Sequence, residues 1–292
     1  RIYAFQKEPQ KQYLTYTERK SAWSVGFGLA RPSDSAQVSV TMTDVDPGSW
    51  FMETNAARDT FMLWITSPEV YNNDVLETLL TYPFTDSTGI IVSRTDTVIL
   101  RYLKPAAPRG GEQKAPPLAL TTNISGKTRP GTVPSFASAT PLSDPDTSRI
   151  TLLQKVDSLT RNVSYVFERD STTTRRLVMK AALESGGSYT LICNAGAFSD
   201  IYGNMSDSTA YKIAVATSED YGSIKTNVTG YEGDIVIQLL GGKENVVREA
   251  RLTSPGDVTF DLLDKGRYRL KVIYDLDSDG KWTTGDFDLG RS

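Results

Sequence analysis

Ser188-Tyr189-Thr190-Leu191-Ile192-Cys193 places Tyr, Leu and Cys at every second position, with Ser, Thr and Ile between them. A period of two is the pattern of a strand with one face in a core and the other toward solvent. Toward the N-terminus the same reading gives strands at Ala22–Gly26, Val38–Thr43, Thr60–Ile65 and Thr97–Tyr102. Around the starting stretch it gives Ile150–Leu153, Val163–Phe167, Leu177–Lys180 and Lys212–Ala216. It continues with Ile235–Leu240, Ala250–Thr253, Val258–Leu262 and Tyr268–Tyr274. Sustained helical spacing is nearly missing, and one short helix is expected near Asp74–Leu80. Strands this short, separated by turn residues such as Asp46-Pro47-Gly48 and Gly266, predict an all-β chain of antiparallel sandwiches.

The chain has 292 residues, enough for roughly two or three domains. Lys104 to Pro117 contain four prolines and two glycines, which blocks regular structure. The expected division is a β-sandwich over 1–104, a linker over 105–117, a second sandwich over 118–217 and a small third over 218–292. A β-core as small as the last is marginal alone and is expected to pack on its neighbour.

Composition excludes much chemistry. There is no histidine, so Ser-His-Asp and Cys-His sites and His-ligated metals are absent. The one cysteine, Cys193, rules out an internal disulfide and Cys-based zinc or iron–sulfur sites, and reads as a small buried hydrophobe. With 32 Lys+Arg against 35 Asp+Glu the net charge is −3, without the basic footprint of a nucleic-acid binder. No apolar run is long enough to span a bilayer. Arg1-Ile2-Tyr3-Ala4-Phe5 reads as a strand entered directly, with no signal peptide before it. The expectation is a cytoplasmic protein or part of a longer exported one.

Several motifs occur in order: Phe61-Met62-Leu63-Trp64-Ile65, Val70-Tyr71-Asn72-Asn73-Asp74, and Gly196-Ala197-Phe198-Ser199-Asp200-Ile201-Tyr202-Gly203-Asn204. Glu219-Asp220-Tyr221-Gly222 and Lys265-Gly266-Arg267-Tyr268 follow. The chain resembles the C-terminal part of Bacteroidota Ig-like (SbsA-type) domain surface lipoproteins. The resemblance implies tandem Ig-like β-sandwiches ending in a transthyretin-like unit. It also implies an exported protein held at the outer membrane or cell surface by a lipid anchor absent from this chain. No catalytic residues come with it. It further implies a non-catalytic envelope scaffold, an accessory subunit of an outer-membrane assembly or export complex, with outer-membrane or surface proteins as partners. The alternative is a carbohydrate-binding or adhesion module with glycans as partners. Six Asp-Ser or Asp-Thr triplets, among them Asp86-Ser87-Thr88 and Asp170-Ser171-Thr172, resemble the O-glycosylation pattern of that phylum and equally suit turns.

The sharpest motif is Asp275-x-Asp277-x-Asp279-Gly280-x5-Asp286. Carboxylates at positions 1, 3 and 5 converge on a hard cation if the chain turns at Gly280. The expected ligands to a structural Ca2+ are Asp275, Asp277, Asp279, the Lys281 carbonyl and Asp286. The competing reading is a solvated Asp/Gly loop, in which Trp282 is a packing anchor. Elsewhere Asp44 and Asp46 read as a turn rather than a glycosidase pair. Gly241-Gly242-Lys243 reads as a hairpin turn, and Arg175-Arg176 as a solvated hairpin. Trp64 is expected in a core, whereas Trp50 is a candidate exposed aromatic for sugar stacking.

Overall fold

The computed structural model describes residues 11–102, 116–124 and 126–275. The expected linker, apart from Pro116 and Pro117, lies outside the described residues. Among them the chain is all-β: tandem antiparallel sandwiches, each a pair of sheets closed over its own apolar core.

The first unit holds β1 (Leu14–Ser21), β2 (Ser24–Leu29), β3 (Ser39–Met42), β4 (Trp50–Thr54), β5 (Thr60–Ile65), β6 (Val75–Thr85) and β7 (Ile91–Arg101). A one-turn helix, α1 (Pro68–Tyr71), connects β5 to β6. One sheet runs β1-β2-β5-β4 and the other β3-β6-β7. Between them Phe27 stacks on Phe61 at 5.2 Å, packed with Leu63, Ile65 and Leu80. Burying side chains of this size contributes about 1.5–3 kcal/mol each.

Two expectations fail in this unit. Asp74–Leu80 is not helical; Val75 to Leu80 form the first half of β6. Thr78 is 3% exposed and Leu79 40%, so burial there alternates with a period of two. Eleven consecutive pairings with β7, Val75↔Arg101 to Thr85↔Ile91, override the local helical spacing of Leu76, Leu79 and Leu80. The expected strand Ala22–Gly26 spans the turn of the β1–β2 hairpin, leaving Ala22 and Trp23 at its tip.

The second unit contains β8 (Thr121–Thr122), β9 (Gly126–Thr128), β10 (Ser135–Ala137), β11 (Ile150–Val156) and β12 (Leu159–Asn162). It continues with β13 (Tyr165–Arg169), β14 (Arg176–Ala181), β15 (Ser188–Cys193) and β16 (Thr209–Val215). Its sheets are β13-β14-β10-β8 and β12-β11-β15-β16-β9, with β9 parallel to β16. In the opening stretch Tyr189, Leu191 and Cys193 face a core that also holds Phe136, Met179 and Phe198.

The third unit pairs β17 (Gly222–Val228) and β20 (Gly256–Leu263) against β18 (Asp234–Leu240), β19 (Val246–Leu252) and β21 (Arg269–Asp275). β18 is its middle strand, and Ile235, Ile237 and Leu239 meet Val258, Phe260 and Leu263.

Candidate functional site

Two junctions between units bring together side chains from distant parts of the chain. The first begins with a local loop. The Asp200 carboxylate, buried in the second unit, accepts from the backbone N–H groups of Tyr202 (3.0 Å) and Asn204 (2.9 Å). It also takes the Thr140 hydroxyl at 2.7 Å and the Asn204 amide at 2.8 Å. Gly203, at φ +84°, supplies the left-handed residue this tight loop needs. So held, the loop presents Tyr202 to the first unit.

There Tyr202 stacks on Trp23, centroids 4.9 Å apart, and its hydroxyl faces the Trp23 carbonyl at 3.4 Å. Tyr71, the last residue of α1, meets both rings edge-on, at 6.4 Å from Trp23 and 6.1 Å from Tyr202. Edge-to-face and offset geometries are the favoured ones for aromatic rings. Burial, then the Asp200 charge and Tyr71, push the Tyr202 phenol pKa up, keeping it neutral. Arg19, itself buried, donates to the carbonyls of Tyr71 (3.1 Å) and Asn73 (2.8 Å) and fixes the end of α1 beneath the cluster.

The same two units also meet at Glu53 of β4, whose side chain is 9% exposed. It accepts from Trp64 Nε1 at 2.9 Å within its own unit and from the Thr174 N–H of the second unit. Arg175 Nε stands 3.4 Å away, with its guanidinium 5.8 Å from the Trp64 ring centroid. Burial works to raise the Glu53 pKa, but the hydrogen bonds from Thr174 and Trp64 and the Arg175 charge outweigh it, leaving the carboxyl below its usual range. Arg175 does lie in the β13–β14 hairpin, as the sequence suggests, with its side chain still partly open to solvent, but the hairpin is docked on the neighbouring unit through Glu53.

The second junction is built differently. Thr217, Ser218, Glu219 and Asp220 form a capped single turn between the second and third units, with a reciprocal Thr217–Asp220 capping box. Lys127 reaches Asp220 at 2.8 Å, and this contact leads those that hold the Asp220 carboxyl below its usual range. Arg129 donates to the Leu262 carbonyl at 3.3 Å, pairs with Asp264 and lies 5.3 Å from the Tyr221 ring centroid.

The remaining candidates fall as follows. Asp275 closes β21 with its carboxylate enclosed, 3.4 Å from Arg251 Nη2, which also pairs with Asp234 at 2.6 Å. Asp277, Asp279, Lys281, Trp282 and Asp286 lie outside the described residues. Among the described residues no group of three or more acidic, His or Cys side chains is placed to hold a metal. Asp44 and Asp46 flank a turn: Asp44 adopts φ +57°, and Asp46 caps the next turn through the Gly48 N–H. Trp50 is partly buried against the first core, and Trp64 is buried. Cys193 is buried and free, and burial pushes its thiol up to about 11. Asp86 and Asp170 each accept from the N–H and hydroxyl of the Thr two residues on, the turn chemistry of Asx loops.

No family model matches the chain, and no curated protein matches it. Similar solved structures include native alpha-2-macroglobulin from Escherichia coli spanning domains MG0-NIE-MG1, at 14% identity and TM-score 0.26, covering 90% of this chain and 96% of that one. The Bacillus anthracis TIE protein matches at 10% identity and TM-score 0.18, over 93% of this chain and 53% of its own. The BSP domain of a biofilm associated protein matches at 9% identity and TM-score 0.21, over 94% and 68%. Superposition this loose assigns neither a fold relative nor a function.

Proposed function

We propose that the chain is a non-catalytic scaffold and protein-interaction module of the bacterial cell envelope, part of a lipid-anchored outer-membrane protein that accompanies an assembly or export complex. The observation that carries this reading is the place where the chain puts its buried carboxylate and its aromatic trio. Glu53, Trp23, Tyr71 and Tyr202 hold one sandwich on the next, and both Glu53 oxygens are engaged by groups of this chain. A carboxylate so engaged is a structural clamp, not a poised acid or base. The ordered motifs that resemble surface lipoproteins support the envelope setting, and Tyr202 sits in one of them.

The test is affinity capture of the full-length protein from detergent-solubilised native envelopes. Recovery of an outer-membrane barrel in near-equal amount supports the scaffold reading. Saturable glycan binding without a stoichiometric protein partner would replace it with the carbohydrate-binding alternative.

A further inference from the structure

Among the described residues β7 is a sheet edge of unusual regularity. It is 11 residues long, pairs only with β6 among the described residues, and its register is unbroken. Natural edges are commonly blunted by shortness, bulges or charges. β7 carries the charges Arg94, Asp96 and Arg101 but is neither short nor bulged, unlike several other edges here. β1 has two register shifts and carries Glu18 and Lys20; β19 has one and carries Arg248, Glu249 and Arg251; β12 is four residues long. β1 runs close to β7 without pairing with it, and Arg19 of β1 stands over the ring of Tyr102, the residue that follows β7.

The backbone of β7 has a definite parity. The Tyr102 N–H donates to the Asp74 carbonyl, and the Ile90 carbonyl accepts from the Asp86 N–H, so even-numbered residues turn their peptide groups toward β6. By the alternation of an antiparallel ladder, Ile91, Ser93, Thr95, Thr97 and Ile99 point theirs outward.

The sequence of this edge reads the same chemically in both directions. Ile91-Val92-Ser93-Arg94-Thr95-Asp96-Thr97-Val98-Ile99 is symmetric about Thr95. We propose that β7 pairs antiparallel with β7 of a second copy of this chain, about a two-fold axis through Thr95, making one continuous six-stranded sheet.

In that register Thr95 faces its own copy and Ser93 faces Thr97, with all their outward N–H and C=O groups in hydrogen-bonded pairs. Ile91 and Ile99, each 58% exposed, cover one another, as do Val92 and Val98 on the opposite face. Arg94 faces Asp96 of the other copy, so the within-chain Arg94–Asp96 pair at 2.9 Å becomes a cluster of four alternating charges. Moving the axis by one residue destroys the match. Centred on Arg94 it sets Val92 against Asp96; centred on Asp96 it sets Arg94 against Val98. The charge pattern thus selects both a second copy and one register, as an isologous interface requires. The pairing holds whether or not the chain also docks to an envelope partner.

Sedimentation of the full chain over a dilution series tests it. A reversible monomer–dimer equilibrium is expected, weakened at least about tenfold by Thr95→Pro, with the melting temperature of the dilute monomer lowered only by the loss of the exposed Thr81–Thr95 hydroxyl contact. That substitution removes an outward N–H and leaves the β6 ladder intact. Register is read by oxidation. Thr95→Cys is expected to cross-link to itself, whereas Ser93→Cys, displaced four residues from its own copy, is not. Cys193 stays out of this chemistry because it is buried. Monomer at every concentration overturns the proposal, as does a dimer untouched by Thr95→Pro, or equal cross-linking at positions 93 and 95. A monomer that dimerises only when residues 1–10 are deleted also overturns it, by making the chain's own leading segment the occupant of the edge.

Discussion

The two junctions solve one problem by different physics. Between the first and second units the contact is partly withdrawn from water: three half-buried rings, an enclosed carboxylate with both oxygens engaged, and a more open arginine over a tryptophan. Between the second and third it rests on a capped turn and on ion pairs with both partners open to solvent, Lys127–Asp220 and Arg129–Asp264. Charges that remain solvated attract weakly and are screened by salt, whereas enclosed groups are screened little and are costly to leave unpaired. The first junction should therefore couple its units into one folding block, and the second should act as a tether.

The largest effect should come from Glu53→Ala. It leaves Trp64 Nε1 and the Thr174 N–H without their acceptor and Arg175 without its counter-charge, and a loss of about 3 kcal/mol is expected on removing one partner of such a set. Calorimetry should show the joint transition of the first two units splitting in two. Tyr202→Ala should follow, at about 2 kcal/mol for a partly buried ring that loses its stacking partner. Chemical denaturation monitored by tryptophan fluorescence would read it.

Acid should act in a definable direction. The Glu53 carboxyl is held below its unfolded value, so its contribution is complete above that value and is lost as pH falls through the folded pKa. The first junction should thus begin to weaken as the pH falls through the ordinary glutamate value and lose the whole contribution only below the lowered folded one. The smallest change should be Asp264→Ala, under about 1 kcal/mol for a solvated pair. Raised salt should mimic it at the second junction while leaving the first unmoved, which a salt series on the two transitions would show.

These contrasts also explain what the sequence could and could not convey. Ser188–Cys193 was readable as a strand because one face is buried and the other partly open, so burial writes itself as alternation, and Thr60–Ile65 because it is a short apolar run of a strand buried on both faces at its end. β4 was not, because all five of its residues are partly buried and no period appears. Asp74–Leu80 misled because its leucines carry a helical spacing that pairing with β7 overrules. The junction chemistry was illegible for a different reason. Glu53 and Thr174 are 121 residues apart, and Trp23 and Tyr202 are 179 apart, so no local pattern links them. A partial signal existed in Asp200, Gly203 and Asn204, whose spacing marks a tight loop able to project Tyr202 outward.

Differential scanning calorimetry of the full chain against Glu53→Ala, at low and high salt, tests the central claim most directly. The account predicts two transitions for the native chain, one for the first two units together and one, salt-sensitive, for the third; Glu53→Ala turns the first into two. Three independent transitions in the native chain, or an unchanged profile for Glu53→Ala, would contradict it.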